Sequence, residues 1–490
     1  MRTQQQIGCS AAGLQTDTAT APRIEIDTRS GMPVGPKFWP RLLRGDVFRS
    51  NGADFLRANA VEFGDLVYFQ NFGVRVLQCN HPELIQEMLV RDAGHHHRGL
   101  VMQRSRMVLG EGLLTSEEPL HMRQRRLAQP AFHRERIAAY GAVIGEFARR
   151  MTGQWTEAGM VEVHSEMLLL ALRIVGKTLF DTNVEQEVES IAEAVDAFMV
   201  FLPLAFLPMS HLIQQLPLPL MRRIRRGQER LDTLIYRMIA ERRASPEDRG
   251  DLLSMLLMAT DEESQEQGYA ERMTDRQVRD ECLTVLLAGH ETTANALTFA
   301  LWLLATHPEV QQRAAAEAQQ VLKNPSQDSL RGVSSEDYGR LPYLGQVFAE
   351  AMRLYPPVWV TARTAAEEYL WRGIRVQRGT ILIAPQYAVH RDERWYPEPD
   401  RFDPERFTAV AKAARPRLAY FPFAAGSRQC IGEGLAWMEG VLILATILAD
   451  WELMPESGAG AAIAVQPAIT LRPAGPVKLV VQRRQMPDSR

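Results

Sequence analysis

The chain has 490 residues, of which 46% are apolar and 23% charged, and its formal net charge is −3. This is the make-up of a globular protein with a large core, and with no basic stripe interleaved with aromatics nothing points to nucleic acid as a partner. Four cysteines (Cys9, Cys79, Cys282, Cys430) are far too few for a disulfide scaffold at this length, which favours a reducing compartment and a cytoplasmic location.

In chain order, residues 1–30 are rich in Gln, Thr, Ala and Ser and hold no apolar run. They read as a disordered segment, with neither a secretory core nor a transmembrane anchor. Pro33, Pro36 and Pro40 make a stiff lead-in, and two alternating runs starting at Gly64 and Gly73 read as a hairpin. Helical periodicity follows over roughly 82–91, 118–128, 135–153, 162–180, 184–200, 218–243 and 250–259. Between Ala197 and Met221 an apolar stretch is broken by Pro203, Pro208, Pro217 and Pro219. It is expected to be two short helices and a loop, either a covered surface or a lid that touches a membrane surface, because proline inside a helix costs about 3 kcal/mol. The longest pattern runs from Thr274 to His307 and would span about 50 Å at 1.5 Å per residue. Helices at 308–323 and 340–354, short strands over 364–385, a coil over 391–422, a helix after Cys430 and a strand-rich tail over 451–483 complete the prediction.

Phe423-Ala-Ala-Gly426-Ser-Arg428-Gln-Cys430-Ile-Gly432 presents one cysteine on a glycine-flanked loop that leads into an apolar helix. The positive end of a helix and a nearby arginine are expected to lower the thiol pKa from about 8.5 toward the thiolate range. Gly426 and Gly432 would let backbone approach a flat ligand and turn N–H groups toward the sulfur. Haem iron held by one sulfur is the chemistry that fits. The F-x-x-G-x-R-x-C-x-G spacing resembles the cysteine loop of the cytochrome P-450 superfamily of haem-thiolate monooxygenases.

That resemblance implies a mainly α fold of a dozen or more helices with a small strand-rich N-terminal side, and a single domain over residues 31–490. It implies haem b with Cys430 as axial thiolate and metal ligand, with Phe423, Gly426, Gly432 and Ala288 beside the cofactor. A dianionic haem needs cations for its propionates, and His121 with Arg125, Arg363 and Arg428 fall at family positions. His121 stands where many members have Trp. Among His95, His96 and His97, an exposed helix end is expected, with at most His97 near the propionates.

Ala288-Gly-His-Glu291-Thr292-Thr293 interrupts an apolar helix with residues that are individually poor choices there, which suggests a local distortion kept for function. The Thr292 hydroxyl is free either to bond the Ala288 carbonyl or to face a ligand. By the resemblance, Thr292 and Glu291 are the catalytic pair that handles protons during oxygen activation. Glu350 and Arg353 lie three apart on one helical face, and with Arg406 they match the family's structural ion network. The substrate pocket would be walled by Leu100, Leu286, Val358, Val360 and Ile469, all apolar, which suits a fatty acid, a terpenoid or a steroid.

No flavin or dinucleotide glycine motif follows the cysteine helix, so electrons would come from a separate donor: a ferredoxin or flavodoxin with its reductase, or a flavin reductase. Arg123, Arg126, Arg134 and Arg136 are candidates for its docking face. The expected reaction inserts one atom of O2 into a small hydrophobic substrate. The alternatives are a peroxygenase or isomerase on the same fold, a non-catalytic haem-binding sensor, and a cysteine hydrolase activated by His390.

Overall fold

A computed structural model describes residues 21–28, 30–37, 51–71, 73–181, 219–260, 272–323, 330–456 and 462–484. The expected helix at 184–200, residues 1–20, Pro40 and most of the apolar stretch over 197–221 lie outside the described residues. Ile26–Asp27 pairs with Met32–Pro33, so ordered backbone begins earlier than the composition of residues 1–30 suggests.

Helices dominate. The long helix, Asp275–Thr306, starts where Thr274 accepts from the Gln277 backbone and Gln277 returns the bond to the Thr274 N–H. This reciprocal pair satisfies two of the backbone donors a helix start leaves bare. It ends at His307, before Pro308 opens the next helix, Pro308–Leu322. Thr292 lies inside an unbroken α-helix, so the expected local distortion does not interrupt it; the hydroxyl instead donates to the Ala288 carbonyl at 2.6 Å. Val163–Phe180 packs along the long helix, and the cysteine helix, Glu433–Asp450, packs between Arg134–Thr152 and Pro308–Leu322. Where the cysteine helix meets Pro342–Leu354, a Cβ on Gly440 would lie 2.3 Å from the Phe348 ring. Only glycine permits that approach.

The principal sheet has five strands in the order Leu66–Asn71, Val74–Cys79, Ile381–Ala384, Thr361–Ala365, His96–Arg98. The predicted hairpin supplies the first two, and Ile381–Ala384 joins it in parallel. Helices lie where the sequence reading placed none, the longer ones being Gly52–Phe63 and Leu100–Leu109 and the shorter Gln386–Val389 and Ala409–Ala413. The 82–91 pattern divides into an α-helical Pro82–Gln86 and a π turn over Glu87–Arg91. Gly159–Glu162 is a strand because the tail strand Lys478–Arg483 pairs with it, a partner more than 300 residues away that no local pattern announces. Among the described residues no helix is long and apolar enough to cross a membrane.

Candidate active site

The cysteine loop is held by its own backbone. The Cys430 N–H donates to the Phe423 carbonyl at 3.0 Å, and Gly426 opens a short 3-10 turn with φ +76°. A Cβ there would sit 2.2 Å from the Leu89 carbonyl oxygen, so both conformation and space require glycine. Phe423 packs on Trp437 of the cysteine helix with ring centroids 5.8 Å apart. Gly432 is the residue before that helix, and its N–H bonds the cysteine sulfur.

Cys430 is exposed, whereas Cys79 and Cys282 are buried. Burial of the Cys430 thiol nevertheless pushes it up to about 11, against the Gly432 N–H bond and the Arg125 charge. This corrects the expected thiolate. Desolvation outweighs the Gly432 N–H and the arginine.

Around this loop lies a cluster of guanidinium groups. Arg125 donates to the Gln429 carbonyl at 2.7 Å. Arg428 donates to the Ser116 carbonyl at 2.6 Å and to Glu117 at 3.2 Å. Arg363, on Thr361–Ala365, is 5% exposed, donates to the Ala362 carbonyl and faces Arg98 across the strand pair. Burial lowers Arg125, Arg428 and Arg98, and mutual repulsion adds to it for the last two; Arg363 falls to about 10 by burial and the Arg428 charge. His121 is buried against Glu118 at 3.0 Å and is held near pH 4, by burial and then the Arg428 charge. It is therefore neutral at pH 7. Around Arg428 the guanidiniums of Arg98, Arg106, Arg125 and Arg363 gather with the carboxylates Glu117 and Glu118, and the Arg98 Nε has no partner. A surplus of positive charge is what a bound anion would balance.

Arg98 was missed in the sequence reading, although it directly follows the histidine triplet. The triplet itself is a 3-10 turn ending at His95 followed by the strand His96–Arg98, so the expected helix end is corrected. His95 stacks on Tyr369, and His96 bonds the Tyr369 hydroxyl and the Met88 carbonyl. Among the described residues no group of three or more His, Cys, Asp or Glu could hold a bare metal ion.

On the long helix Ala288 is exposed and Thr292 half-buried, in the middle of a run that is otherwise almost wholly buried. They mark the side of the helix that looks into an opening. Leu286 lies two residues from Ala288, about 200° around the helix, and is buried in the main core; the expectation that it walls the pocket is corrected. Val285, three before Ala288 and seven before Thr292, is half-buried on the open side. Val358, Val360 and Ile469 are half-buried. Their segments are tied together: the Trp359 indole donates to the Ala468 carbonyl at 2.8 Å, and the Leu471 N–H to the Pro357 carbonyl at 2.8 Å. Leu100 opens the helix Leu100–Leu109.

Glu291 is buried and accepts from the Thr470 hydroxyl at 2.7 Å. Glu350 and Arg353 are both wholly buried and pair twice, at 2.6 and 2.8 Å. Arg353 also donates to the carbonyls of His390, Pro399 and Arg401, while Glu350 accepts from the Asp403 N–H and lies 3.5 Å from Arg406. His390 is occupied in this scaffold, where its Nε2 accepts from the Phe421 N–H at 3.0 Å. Of the candidate docking arginines, Arg126 and Arg134 are exposed and Arg136 pairs with Asp248 at 2.6 Å.

An exposed cysteine on a glycine-shaped loop thus lies beside a cluster of guanidinium groups, with an acid–threonine pair on the long helix. The chain belongs to the cytochrome P-450 family, whose sequence profile matches residues 33–480, and it is a monooxygenase of that family. Cyclooctatin synthase of Streptomyces melanosporofaciens is 36% identical, over 86% of this chain and 89% of its own length. Cyclooctat-9-en-7-ol 5-monooxygenase of the same organism is 36% identical, over 81% and 84%. Pentalenene oxygenase of Streptomyces avermitilis is 33% identical, over 81% and 86%. Among solved structures, the cytochrome P450DA heme domain is similar with a TM-score of 0.78 and 26% identity, covering 93% of this chain and 98% of that one. Family membership brings a haem-thiolate cofactor in general terms, together with a substrate, dioxygen and a source of electrons.

Proposed function

We propose that this chain is a haem b monooxygenase of terpenoids, with Cys430 as the thiolate ligand of iron. The observation that carries the reading is the exposed Cys430 beside a guanidinium cluster in which arginines repel one another. A flat dianion with a metal at its centre satisfies both, and the residues present fit it. Arg98, Arg125, Arg363 and Arg428 would hold the propionates. Neutral His121 would contribute a hydrogen bond rather than a charge.

When bound, haem supplies the activation of dioxygen and the insertion of one of its atoms into a C–H or C=C bond, with a thiolate ligand favouring O–O cleavage. The protein's own residues do the rest. Ala288 leaves room on the open side of the long helix, and Thr292 places a hydroxyl there. Glu291, next in sequence, is the acid from which protons reach that hydroxyl. Val285, Val358, Val360 and Ile469 exclude water and orient an apolar ligand. Glu350, Arg353 and Arg406 keep the segment over 390–422 rigid beneath the cysteine loop.

The terpenoid assignment rests on the three Streptomyces relatives, whose names specify cyclooctatin, cyclooctatenol and pentalenene chemistry. An acid–threonine pair is what a dioxygen-driven enzyme uses, which favours it over a peroxygenase. Electrons would come from a ferredoxin or flavodoxin with its reductase, docking near Arg126 and Arg134, in the cytoplasm. A panel of cyclic terpenes, fatty acids and steroids, titrated against the ferric protein, tests the substrate class. A terpene hydrocarbon or alcohol should give the largest spin-state shift; a response to fatty acids or steroids alone would overturn the assignment.

A further inference from the structure

Behind Glu291 lies a set of polar side chains that the proposed chemistry leaves unused. His164 Nε2 lies 3.0 Å from Asn295 Oδ1, Asn295 Nδ2 lies 3.3 Å from Thr470 Oγ1, and Thr470 Oγ1 lies 2.7 Å from Glu291 Oε1. His164 begins the helix Val163–Phe180, Asn295 follows Glu291 by one turn of the long helix, and Thr470 sits just before the strand Leu471–Pro473. Three segments remote in sequence meet at the one acid. Asn295 is completely buried and Thr470 is 5% exposed.

We propose that His164, Asn295 and Thr470 form a one-way hydrogen-bond chain that fixes the resting position of the Glu291 carboxylate, with His164 as the positioning residue at its far end. The direction follows from donor and acceptor capacity. The Thr470 hydroxyl gives its proton to the Glu291 carboxyl oxygen. That leaves the Thr470 oxygen to accept, and only the Asn295 amide nitrogen is there to donate. Asn295 then turns its carbonyl oxygen to His164, which must carry its proton on Nε2. Each link leaves one choice, and links polarised in the same sense strengthen one another. An amide does not pass protons readily, so the chain is a tether and not a wire.

The same turn has a second task, since Ile469, adjacent to Thr470, is a wall residue of the pocket. The tether therefore joins the position of the acid to the wall the substrate touches. His290, also next to Glu291, stays outside the chain: its Nδ1 has no partner, and burial holds it near pH 4.

The inference rests on the reading that Glu291 and Thr292 handle protons, and the test separates the two. In the holoenzyme with an electron donor, the share of consumed electrons that appears as peroxide is measured for wild type, His164→Leu, His164→Gln and Thr292→Ala. His164→Leu should raise that share roughly two- to tenfold, the range of one hydrogen bond, while thermal stability and haem content change little. His164→Gln, whose amide N–H can take the place of Nε2–H, should restore it. Histidine-selective 15N NMR on the resting protein should show His164, identified by the resonance lost in His164→Gln, as the Nε2–H tautomer, with that preference lost in Asn295→Leu. An Nδ1–H tautomer overturns the proposal. So does an unchanged peroxide share in His164→Leu when Thr292→Ala raises it. If Thr292→Ala itself changes nothing, the proton-handling reading fails, and the tautomer result alone decides whether the tether exists.

Discussion

Two buried charge clusters flank the cysteine loop, and they are built on opposite terms. Every nitrogen of the Arg353 guanidinium has a partner: Nε and Nη2 pair with Glu350, and the Nη groups donate to three backbone carbonyls, while the Arg406 Nε beside them has only a 3.5 Å ion pair with Glu350. Around Arg428 the guanidiniums of Arg98, Arg363 and Arg125 repel one another, lean on two carboxylates and leave the Arg98 Nε unbonded. Taking a charge out of water costs several kcal/mol, and only good geometry with a full set of bonds repays it. The first cluster is repaid within the protein and is architecture. The second is repaid only when an anion arrives, which marks it as part of a binding site.

The strongest way to break this contrast is to cut into the completed cluster. Arg353→Ala leaves the Glu350 carboxylate buried without its pair and should cost about 3–5 kcal/mol of folding stability, read from urea unfolding of the holoprotein. An unchanged midpoint would mean that the network is not architecture. A smaller effect sharpens the other side. Arg363→Leu removes one of the repelling cations, so the haem-free protein should be no less stable, while haem loss to an acceptor protein should quicken roughly tenfold, the loss of one charged hydrogen bond. A destabilised haem-free protein with unaltered haem loss would move Arg363 into the architectural cluster.

The smallest effect concerns groups that meet burial by giving up charge. His96, His121 and His290 are held near pH 4 by burial, below the ordinary 6.5. Between those values the unfolded chain binds more protons than the native one, so their contribution is complete above pH 6.5 and is lost as pH falls toward 4. Glu281 and Glu439 are raised to about 8 by burial. The native state then holds the extra proton, so stability present below pH 4.5 is lost as pH rises through 8. The histidines thus give the stability profile an acid arm and the carboxyls an alkaline arm. Unfolding midpoints between pH 5 and 8 should show both, and Glu281→Gln with Glu439→Gln should flatten the alkaline arm. A double variant with the wild-type profile would contradict the assignment.

Legibility followed locality. Helices such as Asp275–Thr306 and Arg134–Thr152 were visible because their apolar spacing, cap and following proline or glycine all sit within the segment. The Gly159–Glu162 strand was invisible because its ladder comes from the far end of the chain. In the candidate site, the resemblance carried by the cysteine loop pointed to Cys430, Gly426, Arg125, Arg363 and Arg428, which lie together around that loop. Leu286 was misplaced although helical periodicity already puts Val285 with Ala288 and Thr292. Arg98 could be found only once Thr361–Ala365 had paired with His96–Arg98. The Cys430 thiol went wrong in sign because a helix start and an arginine can be read from sequence, whereas the depth of a sulfur cannot.

The most direct measurement is the carbon-monoxide difference spectrum of the reduced protein, wild type beside Cys430→Ala, each supplied with haem during expression. Wild type should give the band characteristic of thiolate-ligated haem, and Cys430→Ala should lack it. A full-strength thiolate band in Cys430→Ala, or wild-type protein that stays colourless with haem supplied, would contradict the account.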